Sequence, residues 1–203
     1  MISDYDLQNE IISKIKPIIS SWTDDDIYAI SFFVYNKEDN PCEPTFTLGY
    51  NTERDYEKAL TQGNSLQHFP VDKQEARWNY AWWAMNNCLV FGDGETAEIV
   101  KQWIASKGWP YFTNKEFYEI FDDKNFEFKK ELFEELPDAF AKILVSVVKH
   151  LHESDFIKNK FGKEVPIIIH ELEYYDEIAI QNIEANTLPL VQGLIDFIGY
   201  CPE

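Results

Sequence analysis

The stretch Ile27-Tyr28-Ala29-Ile30-Ser31-Phe32-Phe33-Val34-Tyr35 decides the fold class. Nearly every position is β-branched or aromatic, and the apolar run is too continuous for a strand with one face in water. It reads as a central strand, covered on both faces. Residues 36–44 supply turn chemistry, and Thr45-Phe46-Thr47-Leu48-Gly49-Tyr50 alternates as a second strand, the hairpin partner of the first. Upstream, Leu7, Ile11, Ile15, Ile18 and Trp22 form one apolar stripe at steps of three and four, with Ser3 as N-cap and Asp6 three residues on. Pro17 falls inside that stripe and is expected to kink the helix or end it early.

Downstream, Asn51 or Thr52 caps a short helix through Leu60, and residues 63–70 read as a loop. Residues 77–86 place apolar side chains on both helical and strand faces, and they are assigned as a strand followed by a turn of helix. After Gly92-Asp93-Gly94, the stripe Ile99, Val100, Trp103, Ile104 predicts a helix that stops at Lys107-Gly108, with Pro110 just beyond. Residues 126–136 read as a helical turn or two. Pro137 then starts a helix whose Phe140, Ile143, Leu144, Val147, Val148 and Leu151 give the cleanest amphipathic pattern in the chain, so it should lie on the sheet. Phe161-Gly162 makes a break, residues 165–170 read as a buried strand, and Leu172, Tyr175, Ala179 and Ile183 mark a helix behind it. A last helix spans residues 188–198. This order predicts an α+β fold, with a mixed or antiparallel sheet and helices packed on it, as a single domain over residues 1–203.

Composition narrows the function classes. A formal charge of −18 is spread along the whole chain. Such a surface repels phosphate, and no basic stripe is available to release counterions, so nucleic acid is excluded as a partner. The same field steers a basic protein partner toward the molecule. Cys42, Cys88 and Cys201 are odd in number and far apart, which argues against a disulfide framework or a paired metal spacing. Met1 to Asp6 shows no basic region leading into an apolar one, and the longest strongly apolar stretch, residues 143–148, is far short of a bilayer span. A cytoplasmic location without membrane contact is therefore expected.

Two local clusters stand out. His170-Glu171-Leu172-Glu173-Tyr174-Tyr175-Asp176-Glu177 lies at the end of the last predicted strand, where loops display functional groups. Its lone histidine does not make a two-histidine zinc helix, which needs imidazoles at i and i+4. The oxygens of Glu171, Glu173 and Asp176 beside His170 suit a hard divalent cation; alternatively, Glu173, Asp176 and Glu177 favour the positive end of the next helix. His150 and His152 point to different helix faces and serve best as charge at a helix C-terminus. The adjacent Trp82 and Trp83 cannot both face one interior surface, so one of them is expected at an edge or an interface. Phosphate loops, the G-x-S-x-G elbow and dinucleotide fingerprints are missing from the sequence, and no cofactor is expected.

The segments Asp26-Ile27-Tyr28-Ala29-Ile30, Tyr50-Asn51-Thr52-Glu53, Glu75-Ala76-Arg77-Trp78-Asn79-Tyr80-Ala81 and His170-Glu171-Leu172-Glu173-Tyr174-Tyr175-Asp176 occur in this order. Taken together, the set resembles an uncharacterised bacterial family, domain of unknown function 4303. The resemblance implies a compact cytoplasmic bacterial domain, sometimes found on the immunity side of toxin–immunity systems, with no catalytic residues to carry over. Three functions stay open. The first is a protein that binds and neutralises a partner, such as a basic toxin, through Trp82, Trp83, Glu171, Glu173, Tyr174 and Asp176. The second is a small metal-dependent hydrolase using His170 as general base and the carboxylates of Glu171, Glu173 or Asp176 as ligands. The third is an intracellular scaffold.

Overall fold

The computed structural model describes residues 2–62, 71–84, 86–121 and 131–201. The expected loop at 63–70 and residues 126–130 of the turn expected at 126–136 lie outside them. Helix α1 (Asp4–Ser21) opens on a complete capping box between Ser3 and Asp6, as the sequence predicts. Contrary to expectation, it continues through Pro17 to Ser21. Pro17 sits on the exposed face, while Ile11, Ile15 and Ile19 hold the opposite face in the core, so burial outweighs the lost hydrogen bond.

Strand β1 (Ile27–Asn36) pairs antiparallel with β2 (Pro44–Thr52) through a tight connection. The Thr52 hydroxyl accepts from Asp55 N–H at 3.1 Å and so starts α2 (Glu53–Gln62). Next comes α3 (Lys73–Trp78), capped by Asp72, and a 3₁₀ turn over Tyr80–Trp82. The strand expected at this point is therefore corrected to helical turns. Its mixed apolar pattern arises because these rings roof one face of the sheet and do not join it.

The short β3 (Leu89–Phe91), which sequence reading missed, pairs antiparallel with β2. Helices α4 (Ala97–Ser106) and α5 (Asn114–Phe121) follow; the second has no counterpart in the sequence reading. A π-turn over Glu131–Glu135 leads into α6 (Leu136–Glu153), whose first turn holds Pro137, and α7 (Phe156–Phe161) ends at Gly162 in the left-handed conformation. Strand β4 (Ile167–His170), α8 (Asp176–Ala185) and α9 (Leu188–Ile198) complete the order.

The strands form one sheet in the order β3-β2-β1-β4, in which β4 runs parallel to β1. The fold is α+β with a mixed sheet. Pleating sends alternate residues to opposite faces, and the two faces differ in chemistry. One carries Ile30, Phe32, Phe46, Leu48, Phe91 and Ile169 into the main core, which α1, α4, α6 and α7 cover. The other carries Ala29, Ser31, Phe33, Thr47, Gly49, Asn51, Ile168 and His170, beneath Trp83, Tyr80 and helices α8 and α9.

Strand β4 is an edge strand, yet its outer backbone is buried and fully paired. Asn182 accepts from Ile169 N–H at 3.0 Å and donates to Ile169 C=O at 2.7 Å; Asn186 does the same for Ile167 at 3.0 Å each. Asn182 on α8 and Asn186, its C-cap residue, are four residues apart and lie on one side of the helix, presenting two amides in register with the strand.

Helices α3 and α9 meet where Gly193 faces the Trp78 indole; an added Cβ would lie 2.7 Å from its Nε1. Gly193→Ala, which gains about 1 kcal/mol in an open helix, is expected to cost about 1–3 kcal/mol here by urea denaturation. The loss should shrink in a Trp78→Leu background. A variant more stable than the parent contradicts this packing.

Candidate functional site

The eight-residue cluster singled out from the sequence is divided by the strand pleat. His170 points to the second sheet face and is fully buried. Its Nδ1 lies 3.2 Å from the Glu171 carbonyl, which only accepts, so Nδ1 carries the proton and Nε2, 2.8 Å from Ser31 Oγ, accepts from that hydroxyl. Phe33, Tyr80, Trp83 and Tyr174 surround the ring. Burial, only partly offset by the hydrogen bond to the Glu171 carbonyl, pulls the His170 pKa down to about 4.

This arrangement has the order of a nucleophile, a base and an orienting group. It lacks access. Ser31 is 4% exposed, and the free space beside it, under Tyr80 and Trp83, is about 10 Å³, enough for one water at most. No substrate reaches Ser31 in this conformation.

The hydrolase reading had placed His170 beside metal-binding carboxylates. Among the described residues, no group of three or more His, Cys, Asp and Glu side chains is placed to hold a metal ion, and both nitrogens of His170 are engaged elsewhere. His150 is exposed, whereas His152 Nε2 approaches Asn186 Oδ1 at 3.1 Å and its Nδ1 approaches Glu164 at 2.9 Å.

The tryptophan pair is likewise divided. Trp83 is buried, donates its indole N–H to the Arg77 carbonyl and belongs to the second core, so it cannot serve as the surface anchor suggested from sequence. Trp82 is half-buried. Tyr174 accepts from Tyr80 N–H through its hydroxyl at 2.9 Å and ties the β4–α8 connection to the aromatic roof. Beside them Arg77 forks onto Glu53 at 2.5 and 2.9 Å and lies over the Tyr28 ring at 3.8 Å, while Tyr28 donates to the Arg77 carbonyl. The segments around Tyr28, Asn51, Arg77 and Tyr174 thus meet on this second face.

The remaining acids of the cluster face outward. Asp176 is exposed in the first turn of α8. Glu171 and Glu173 line a groove of about 590 Å³ between the start of α6 and the start of α8, which Glu134, Asp138 and Glu177 also line. Among the described residues, no Lys or Arg lines it. Sequence reading missed the α6 wall because Glu134 and Asp138 are remote in the chain from Glu171. Leu172 (76% exposed) and Tyr175 (40% exposed) stand at its edge. Burial, followed by a hydrogen bond to Glu171 and the charges of Glu171, Glu177 and Asp138, raises the Tyr175 hydroxyl pKa far above its usual value. The phenol therefore stays neutral amid converging carboxylates.

Comparison with protein-family models, curated proteins and solved structures finds no match. No helix among the described residues is long and apolar enough to cross a membrane.

The His170 environment sets a pH dependence. Its folded pKa, about 4, lies below the unfolded value of about 6.5, so the unfolded chain takes up the proton first as pH falls. The contribution is complete above pH 6.5 and lost toward pH 4. Between pH 7.5 and 4.5 the parent should lose about 2–3 kcal/mol more stability than His170→Asn, read from urea midpoints. Equal losses would show that His170 is not held neutral by burial.

Proposed function

We propose that this chain is a cytoplasmic binding protein that captures another protein through an acidic surface, in the manner of an immunity protein neutralising a toxin. The observation that carries the reading is the groove edge, where Leu172 and Tyr175 are exposed among carboxylates that have no basic neighbour among the described residues of the lining. Exposed apolar groups rimmed by polar ones are characteristic of interaction sites. A surplus of negative charge raises the rate of encounter with a basic partner and discourages an acidic one. The resemblance to domain-of-unknown-function family 4303 points the same way. Glu171 and Glu173 are the leading contact residues, with Asp176 exposed beside them on α8; Trp82 and Tyr174 belong to the aromatic roof of the other sheet face, and the buried Trp83 makes no surface contact.

The metal-dependent hydrolase has less support, because its proposed base is enclosed by aromatic rings. A scaffold role differs only in the identity of the partner.

The test is co-purification with the product of the gene immediately upstream, at low salt. A complex whose affinity falls steeply as salt rises is the expected result. Failure of the two purified proteins to associate at low salt overturns the toxin-neutralising role.

A further inference from the structure

We propose that the groove between α6 and α8 takes a basic segment of a partner protein, one in which arginine or lysine residues flank a single apolar side chain. This rests on the partner-binding role above and assigns it a place and an occupant.

The deep lining of the groove is apolar, with Val34, Phe140, Ile169 and Ile178 contributing. Its rim is anionic on both walls. Glu134 and Asp138 come from the π-turn and the first turn of α6, and Glu171, Glu173 and Glu177 come from the β4–α8 connection and the first turn of α8. Asp138 and Glu177 can be explained by the positive ends of the helices they begin. Glu171 and Glu173 precede α8 and have no such role. Among the described residues, no Lys or Arg forms an ion pair with any of these five acids.

A cavity of about 590 Å³ suits a ligand of drug size, which corresponds to a short stretch of peptide and not to a globular face. Carboxylates on opposite walls call for cations on both sides of the occupant, and the apolar lining calls for an anchor between them. Nucleic acid and a second copy of this chain fit poorly, because both bring negative charge to a molecule of net charge −18.

The test uses the full chain and fluorescence anisotropy at low salt. The probe is a fluorescein-labelled peptide with arginines and lysines around one leucine; a second peptide replaces the leucine with serine, and a third keeps the leucine in a neutral sequence. Glu173→Lys with Glu177→Lys, and separately Leu172→Ser, should each weaken the first peptide about tenfold or more, equal to about 1.4 kcal/mol. Glu57→Lys with Glu95→Lys alters net charge equally at exposed sites outside the groove and should change affinity by no more than about twofold. The leucine-free and neutral peptides should bind more weakly than the first. Equal weakening by both double reversals, indifference to the leucine, or no binding by the parent chain overturns the groove assignment. So does a dimer, seen by sedimentation, that Leu172→Ser dissociates. If the whole basic partner still binds in those cases, only the groove fails; if it does not, the partner-binding role fails too.

Discussion

The structure depends on how the outer edge of β4 is closed. A strand buried against a central neighbour still presents N–H and C=O groups on its far side, and each one left unpaired away from water costs about 1–3 kcal/mol. Here no further strand supplies partners. The side-chain amides of Asn182 and Asn186 do so, each offering one acceptor and one donor to Ile167 or Ile169, with Gln181 adding a second donor to Ile169 C=O at 3.0 Å. The seam fixes the position and rotation of α8 relative to the sheet. Through α8 it fixes the connection over residues 171–175, and with it one wall of the acidic groove.

The two sheet faces divide the remaining tasks. The aliphatic and phenylalanine face excludes water and supplies most of the core. The second face has small and polar residues at its centre, Ser31, Thr47, Gly49 and Asn51, and aromatic rings close over them. Ser31 and Asn51 survive burial there because each has a partner, Ser31 with His170, and Asn51 with Tyr28 and the Ala84 N–H. Chemistry that looks reactive in sequence is thereby held inside. Charge is left to the rim, where carboxylates remain hydrated and open to a cationic partner.

Much of this architecture was legible in the sequence, because periodicity reports burial. The run from Ile27 to Tyr35, the stripe of α6, the Ser3–Asp6 capping box and the Gly162 stop all follow from local chemistry. Pro17 misled because its place on the exposed side of α1 depends on the tertiary packing. Residues 77–83 misled because a roof over a sheet buries side chains without strand or helix period. β3 is too short to carry a pattern. In the candidate site, the outward acids of residues 171–177 were visible as a cluster. Their separation from His170 was not, since it arises from the alternation of β4, and neither was the opposing wall from Glu134 and Asp138, which long-range packing brings across the groove.

The asparagine seam can be tested most directly by native-state hydrogen exchange at the Ile167 and Ile169 amides. If Asn182 and Asn186 pair them as described, both amides exchange only through global unfolding, as slowly as those of Ile30 and Phe32 inside the sheet. Exchange through local opening, at rates close to those of a solvated edge strand, would contradict the account.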